Sequence, residues 1–99
     1  PMQTFLVVVH DFTDDEALGR RLSTRPTHLA EATRRRAGGQ LVSGGAILDA
    51  DGKMIGSALV VNAESRDRVM ELLRTDPYST QRAWDLSTAQ IYAYREAEF

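Results

Sequence analysis

The chain has 99 residues, 42% of them hydrophobic and 26% charged, a composition typical of one soluble globular domain that occupies the whole chain. Twelve basic and fourteen acidic side chains give a net charge of −2, so we expect neither nucleic acid nor a membrane surface as a partner. The longest apolar run, FLVVV, is far shorter than the roughly 20 residues that cross a bilayer. The absence of cysteine excludes disulfides and thiolate metal sites, and it fits a cytoplasmic location.

The first residue, Pro1, stands before Met2. Because Met2 has the position of a natural start, we expect Pro1 to be a residue added during cloning, and the single domain to cover residues 1–99. A catalytic N-terminal proline, as tautomerases have, is the alternative.

The first elements are a strand and a helix interrupted by proline. The β-branched run Thr4–His10 predicts a buried strand. Pro26 lacks an N–H group and would clash within a helix interior, but it fits a first turn. We therefore expect a short helix that ends near Leu22, a cap at Ser23 or Thr24, and a main helix from about residue 25 to residue 37.

A hairpin, a second helix and a last strand follow. The runs QLVSGGAIL and KMIGSALVV flank a turn at Asp49–Gly52. Ser65 is the expected cap of a helix in ESRDRVMELLRT, which should end before Pro77. With a last strand in LSTAQIYAYR, the order β-α-β-β-α-β predicts an α+β, ferredoxin-like fold, in which two helices cover one face of a four-stranded antiparallel sheet.

The predicted strands are apolar on both faces. In the first strand, Phe5, Val7 and Val9 alternate with Leu6 and Val8, whereas a sheet with one solvated face alternates apolar with polar residues. The helices can cover only one face. We therefore expect a homodimer that packs sheet against sheet; the alternative is that some of these residues are simply exposed.

His28 is one of two histidines and the first candidate for chemistry. Arg25, His28, Leu29 and Ala32 have the spacing of one helical face. In the first turn of the expected main helix, unpaired N–H groups would disfavour a positive charge and keep the imidazole neutral, as a general base must be. A half-buried histidine with a structural role is the alternative.

Two aspartates are candidate partners for His28. Asp76 is the stronger one, because it stands at the end of the second helix, where an anion is unfavourable unless it has a partner. A cap on the turn DPYS is the alternative explanation of Asp76. Asp11 follows the first strand directly and could lie at the same end of the sheet, so the choice between them stays open.

Glycine pairs interrupt two neighbouring strands at Gly44-Gly45 and at Gly56-Ser57. If these pairs faced each other across the hairpin, they would leave a hollow beneath a helix, where Ser57 and backbone N–H groups could bind a carbonyl or carboxylate. A β-bulge is the alternative. We expect the three arginines 34–36 to form a solvated helix end, and no nucleotide or zinc-protease motif is present.

Together these motifs resemble the YciI-like, or YCII-related, family. They are RPTHL, the GxLxxGG pattern at 39–45, GS at 56–57 and DPY at 76–78, and Asp11 and Arg21 also fit. The resemblance covers nearly the whole chain and implies a dimeric α/β-barrel with a pocket between sheet and helices. Gly45 departs from the family, whose members commonly have proline there.

The resemblance also implies a function. A His–Asp pair would fall on His28 and Asp76, and the activity implied is that of a lyase or isomerase on small ring compounds. We expect general acid–base catalysis on a small cyclic or carbonyl metabolite, with no metal or cofactor. The expected substrate-binding residues are Arg25, Asp11, Gly44, Ser57 and Tyr78. The alternative is a non-catalytic small-molecule-binding or assembly module of the same barrel type.

Overall fold

The elements and their order match the predicted α+β fold. The computed structural model describes residues 1–99, and its four strands form one antiparallel sheet in the order β2-β3-β1-β4. In chain order the elements are β1 (Gln3–Asp11), α1 (Ala17–Ala37), β2 (Leu41–Leu48), β3 (Met54–Ala63), α2 (Arg66–Thr75), α3 (Pro77–Thr80) and β4 (Trp84–Ala93). The single turn α3 was not expected. The ferredoxin-like arrangement is confirmed.

The core lies on one face of the two central strands. Val7 of β1 pairs with Leu59 of β3, and both are buried together with Val69 and Leu73 of α2. The alternation of β1 therefore points one set of side chains toward the helices. Trp84, the first residue of β4, completes this core and is 2% exposed.

The expected break in the first helix is wrong. Residues 17–37 form one helix, α1, with Pro26 inside it. Pro26 and Leu22 are both exposed, so water can bond the Leu22 carbonyl that Pro26 leaves without a helical donor. Arg21 and Thr24 are buried before the proline and anchor α1. His28 thus lies in the helix interior, and the argument for a neutral imidazole at a helix start does not apply.

The junction of α2 and α3 is fixed by two side-chain caps. The Ser65 hydroxyl accepts a hydrogen bond from the Arg68 N–H at 3.1 Å, which confirms the predicted cap. α2 ends at Thr75, and Asp76 adopts extended backbone angles before Pro77. Asp76 then caps α3 by accepting a hydrogen bond from the Tyr78 N–H at 2.9 Å.

The hairpin brings the glycine pairs close without pairing them. Gly45 lies opposite Ala58, and Gly56 lies opposite Ile47, so the hollow expected from directly facing glycines is not formed in that way. A Cβ atom on Gly56 would lie 2.6 Å from the Val9 carbonyl oxygen, and one on Gly44 would lie 2.8 Å from Leu59 Cδ2. Both glycines therefore permit close packing within the sheet.

The face of the sheet opposite the helices carries apolar side chains. Leu6 pairs with Val60 and Val8 pairs with Ala58, and Tyr92 lies beside Leu6 on β4. We call these five residues the outer patch. Leu6, Val8 and Ala58 are only partly buried, and Tyr92 is exposed.

None of the helices has the length and apolar character that a membrane span requires.

Candidate active site

A cavity of about 320 Å³ separates α1 from the β2-β3 hairpin, with the end of α2 and α3 contributing to its wall. Six of the seven residues predicted for the site line it: His28, Asp76, Arg25, Gly44, Ser57 and Tyr78. The seventh, Asp11, is buried but does not line the cavity. The continuous α1 helix makes this arrangement, because its inner face runs along the cavity.

His28 and Asp76 are hydrogen-bonded. Nδ1 of His28 lies 2.8 Å from Oδ1 of Asp76, and the two side chains are 12% and 4% exposed. The same Oδ1 accepts the N–H of Tyr78 at the start of α3. The capping function and the partner function proposed for Asp76 therefore coexist, and the cap holds the carboxylate in place for the imidazole.

Aromatic rings fix the orientation of the imidazole. His28 stacks on Tyr78 with ring centroids 3.8 Å apart and planes 15° apart. Trp84 meets His28 edge-on at 5.6 Å. Tyr78 and Trp84 are almost fully buried, so neither can move aside easily. The ring is held in one plane before any ligand arrives.

The contact with Asp76 determines which nitrogen of His28 is available. A carboxylate can only accept a hydrogen bond, so Nδ1 must be the donor. In the neutral imidazole the lone pair is then on Nε2. Nε2 has no partner in the protein and is not sealed from solvent. This arrangement can accept a proton from a molecule in the cavity.

Asp11 pairs with Arg21 rather than with His28. Nη1 of Arg21 donates to Oδ1 of Asp11 at 2.9 Å, with both side chains at most 5% exposed. Burial raises the pKa of the Asp11 carboxyl, and the charge and hydrogen bond of Arg21 offset part of that rise. The Arg21 guanidinium also lies over the Tyr78 ring, 4.6 Å from its centroid. Asp11 thus holds Arg21 against the ring that supports His28.

Ser57 joins the buried pair to the cavity. Its Oγ accepts hydrogen bonds from Nη2 of Arg21 at 2.9 Å and from Nε1 of Trp84 at 3.0 Å. A serine hydroxyl has two acceptor positions and one hydrogen, so its two acceptor positions are taken and its hydrogen remains to donate. Because Ser57 is 2% exposed and lines the cavity, an acceptor atom of a ligand is a suitable partner for it.

Four arginines line the cavity, and two of them have no carboxylate partner. Arg21 and Arg35 form ion pairs, whereas Arg25 contacts the Met54 sulfur at 3.5 Å and Arg36 donates to a backbone carbonyl. Arg25 is only partly exposed. A cation without an anion beside a cavity favours an anionic or electron-rich ligand. No group of three potential metal-ligating side chains occurs in the structure.

Arg35 is a site residue that the sequence analysis missed. We expected the arginines 34–36 to be solvated, but Arg35 is 9% exposed. Its guanidinium donates to the Leu72 carbonyl at 2.9 Å and to Thr75 Oγ1 at 3.1 Å. It also approaches Oδ2 of Asp76 at 3.7 Å. Arg34 is exposed, as predicted.

The chain is similar to two curated proteins of Emericella nidulans. It is 31% identical over 84 residues to aspercryptin biosynthesis cluster protein B, covering 78% of this chain. It is 37% identical over 71 residues to derivative of benzaldehyde biosynthesis cluster protein C, covering 65% of this chain and 72% of that protein. The chain spans about half of the first relative, 54% of its length.

A solved structure and a family model agree with the fold. The structure is that of 5-chloro-2-hydroxyhydroquinone dehydrochlorinase from Burkholderia phenoliruptrix AC1100, in complex with 2,5-dihydroxybenzoquinone; its TM-score is 0.78 at 25% identity over 95% of each chain. The model of the YCII-related domain matches residues 4–92. The chain therefore belongs to the YCII-related family, as its motifs led us to expect.

Proposed function

We propose that this protein is a lyase or isomerase that acts, without a cofactor, on a small cyclic or carbonyl metabolite. The observation that carries the proposal is the 2.8 Å contact between His28 Nδ1 and Asp76 Oδ1 beside the cavity. His28 is the general base through Nε2, and Asp76 orients it and stabilises the imidazolium that forms.

The proposed step is removal of a proton next to a carbonyl. The electron pair of the broken bond forms a C=C bond, and the carbonyl oxygen takes up the negative charge. In a lyase the carbonyl then re-forms, the electron pair makes a C=C bond to the next carbon, and the leaving group departs from that carbon with its bonding electrons, while the proton passes from His28 to the leaving group or to water. In an isomerase His28 returns the proton at another atom. The dehydrochlorinase that resembles this chain in structure removes hydrogen chloride from a ring compound, as its name states, which supports the lyase form.

Ser57 and Arg25 are the proposed partners of the developing oxyanion. Ser57 has only its hydrogen left to offer, so it distinguishes an acceptor oxygen from a donor. Arg25 supplies a positive charge that no carboxylate neutralises. Donors placed where charge develops lower the barrier more than donors placed at the ground-state oxygen.

Turnover can be tested with the compounds named for the structural relative. We expect the protein to release chloride under anaerobic conditions from 5-chloro-2-hydroxyhydroquinone, whose keto tautomer supplies the carbonyl that the step needs, or to bind 2,5-dihydroxybenzoquinone saturably with quenching of fluorescence. Trp84 is the single tryptophan and contacts His28 edge-on, so its emission reports on the site. Deuterium exchange into small cyclic ketones in D₂O measures proton removal when no leaving group is present.

The outcomes separate enzyme from binding module. Chloride release or deuterium exchange supports the enzyme. Saturable quenching without either reaction supports the non-catalytic module. If the protein neither binds nor converts any of these compounds, both the enzyme and the binding-module proposals are wrong for this class of compound.

We also propose that a second copy of the chain covers the outer patch. Its central members, Leu6, Val8, Val60 and Ala58, form two neighbouring cross-strand pairs on β1 and β3. The patch lies on the face that no helix covers, and a two-fold axis between two copies, parallel to their sheets, would bury it against itself. Complete burial of a fully exposed large side chain contributes about 1.5–3 kcal/mol; Val60 is already only 9% exposed, so the gain would come from Leu6, Val8 and Tyr92 and would be smaller for the partly buried ones.

The oligomeric state is tested by placing a charge in the outer patch. We expect native protein to have about twice the 11.0 kDa chain mass by light scattering, and Val8→Lys to be a folded monomer because a buried lysine has no partner there. Leu22→Lys, on the exposed side of α1, is the matched control and should remain a dimer. Native protein that is monomeric at high concentration would contradict the proposal.

A further inference from the structure

Arg35 connects the end of α2 to the carboxylate that holds His28. Its Nη1 donates to the Leu72 carbonyl and lies 3.7 Å from Asp76 Oδ2. Its Nη2 donates to Thr75 Oγ1 at 3.1 Å. These partners belong to the last turn of α2 and to the residue that follows it. Arg35 therefore lies between the C-terminal carbonyl groups of α2 and Oδ2 of Asp76.

The two oxygens of Asp76 have different partners. Oδ1 accepts hydrogen bonds from His28 Nδ1 and from the Tyr78 N–H. Oδ2 has the Arg35 cation as its charged neighbour. Both side chains are largely buried, Asp76 at 4% and Arg35 at 11% side-chain exposure. At this burial, screening by water and salt is weak.

Glu31 fixes the other side of the Arg35 guanidinium. Its Oε2 accepts a hydrogen bond from Arg35 Nε at 3.1 Å. Arg34 and Arg35 lower the pKa of Glu31 to about 2, with the Arg34 hydrogen bond as the largest cause. Glu31 is therefore ionised throughout the neutral range, and Arg35 stays anchored whether or not His28 carries a proton.

We propose that Arg35 is a positioning residue, whose cation lies against Oδ2 of Asp76 and thereby weakens the hold of the His28–Asp76 pair on a proton. Asp76 alone stabilises the imidazolium form of His28, because a negative charge lies against Nδ1. The Arg35 cation behind Asp76 offsets part of that attraction. The catalytic importance of Arg35 rests on the proposed function of His28, whereas the electrostatic coupling of Arg35 to the His28–Asp76 pair does not.

Other charged or titratable groups also face the imidazole. Those that line the cavity with it are Arg21, Arg25, Arg36, Asp76 and Tyr78, and Glu31 lies behind Arg35. The sheet contributes the uncharged Ser57 and Trp84. Removing Arg35 leaves Asp76 and Glu31 without this cation, and each uncompensated carboxylate favours the protonated form of His28.

The experiment is an NMR titration of the two histidine rings in Arg35→Met. We expect the titration midpoint of His28 to be higher in Arg35→Met than in the native protein, because the Asp76 carboxylate then lacks the nearby cation. His10 is exposed at the end of β1 and serves as the internal reference, since its midpoint should not move. No substrate or turnover is needed, so the result stands apart from the test of the proposed function.

Matched variants separate the charge from the structural role. Arg35→Lys keeps the cation but cannot reach Leu72, Thr75 and Glu31 together, so it should lose stability without moving the His28 midpoint. Arg68→Met removes the same charge from an arginine of α2 that pairs with Glu71 and does not line the cavity, and it should leave the midpoint in place. A His28 midpoint in Arg35→Met that is unchanged, or lower than native, would overturn the proposal. If Arg35→Met does not fold, Arg35→Gln, which retains a donor for the Leu72 carbonyl, is titrated instead. A raised His28 midpoint then supports the proposal, and an unchanged or lower midpoint overturns it.

Discussion

Replacing His28 with glutamine is expected to lower turnover about 10²–10⁴-fold and to leave the fold intact. A well-placed general base contributes a factor of this size. Glutamine can still donate a hydrogen bond to Asp76 Oδ1, but it has no nitrogen that accepts a proton. The measurement is kcat and KM with the compound that the native protein turns over, together with a circular dichroism spectrum and a urea unfolding curve.

Two variants make the result specific to this histidine. His10→Gln replaces the other, exposed histidine and should keep native kcat. Asp76→Asn keeps a side chain of the same shape, but its amide no longer fixes the tautomer of His28, so kcat should fall while KM changes little. Native turnover in His28→Gln would eliminate the acid–base mechanism.

Asp76 has a structural as well as a chemical role, and the readouts must be kept apart. Its Oδ1 caps α3 through the Tyr78 N–H and also holds His28. Loss of an N-terminal cap costs about 0.5–2 kcal/mol. Asparagine is also a good cap, so Asp76→Asn should retain most of the stability. A large loss of kcat with a small loss of stability is then the signature of the chemical role.

The strand pattern and the caps were predictable because they depend on local chemistry. The alternation of Phe5, Val7 and Val9 with Leu6 and Val8 separated the two faces of β1, since successive side chains of a strand point to opposite faces, and the structure buries the first set. Ser65 was recognisable as a cap from its position before an apolar helical stripe. Gly52 has a φ of 80°, as a turn glycine can. None of these features depends on a distant part of the chain.

The inner face of α1 was not predictable once Pro26 was taken as a break. In one continuous helix, Arg21, Arg25, His28, Ala32 and Arg35 follow each other at spacings of four, three, four and three residues, which is one face. All five line the cavity. Dividing the helix before residue 25 removed Arg21 from this face. Arg35 remained hidden because a local reading of three arginines in a row says nothing about contacts with α2.

Replacing Arg21 with methionine is expected to lower the free energy of unfolding by about 3–5 kcal/mol at neutral pH. The change leaves the Asp11 carboxylate, only 6% exposed, without its cation. Asp11 Oδ2 already has no hydrogen-bond partner. The Ser57 hydroxyl also loses one of its two donors. Urea unfolding at several pH values is the measurement.

The pH dependence of this loss has a defined sign. Burial raises the pKa of Asp11 in the folded protein, and Arg21 opposes that rise, so removing Arg21 raises the pKa further. A carboxyl with a raised pKa binds a proton more readily when folded than when unfolded, so protonation stabilises the fold. The deficit of Arg21→Met should therefore shrink as pH falls from neutral through the raised pKa toward the ordinary value of 3.8.

Arg20→Met is the control at the neighbouring position. Arg20 pairs with the exposed Asp14, whose pKa its hydrogen bond lowers to about 2. That contribution is present above the ordinary Asp14 pKa of 3.8 and disappears as pH falls through about 2. The effect of Arg20→Met should be small because the pair is exposed, and it should change only in this more acidic range.

The double variant Asp11→Asn/Arg21→Met shows what the buried pair is for. Removing both charges eliminates the unpaired carboxylate, so most of the lost stability should return and its dependence on the Asp11 pKa should vanish. The guanidinium over Tyr78 and the bond to Ser57 would still be missing. A stable double variant with reduced kcat therefore indicates that the pair supports the His28 site, because buried ion pairs are not by themselves required for stability. A single variant as stable as native protein at neutral pH, or a deficit that grows on acidification, would contradict this account of Asp11 and Arg21.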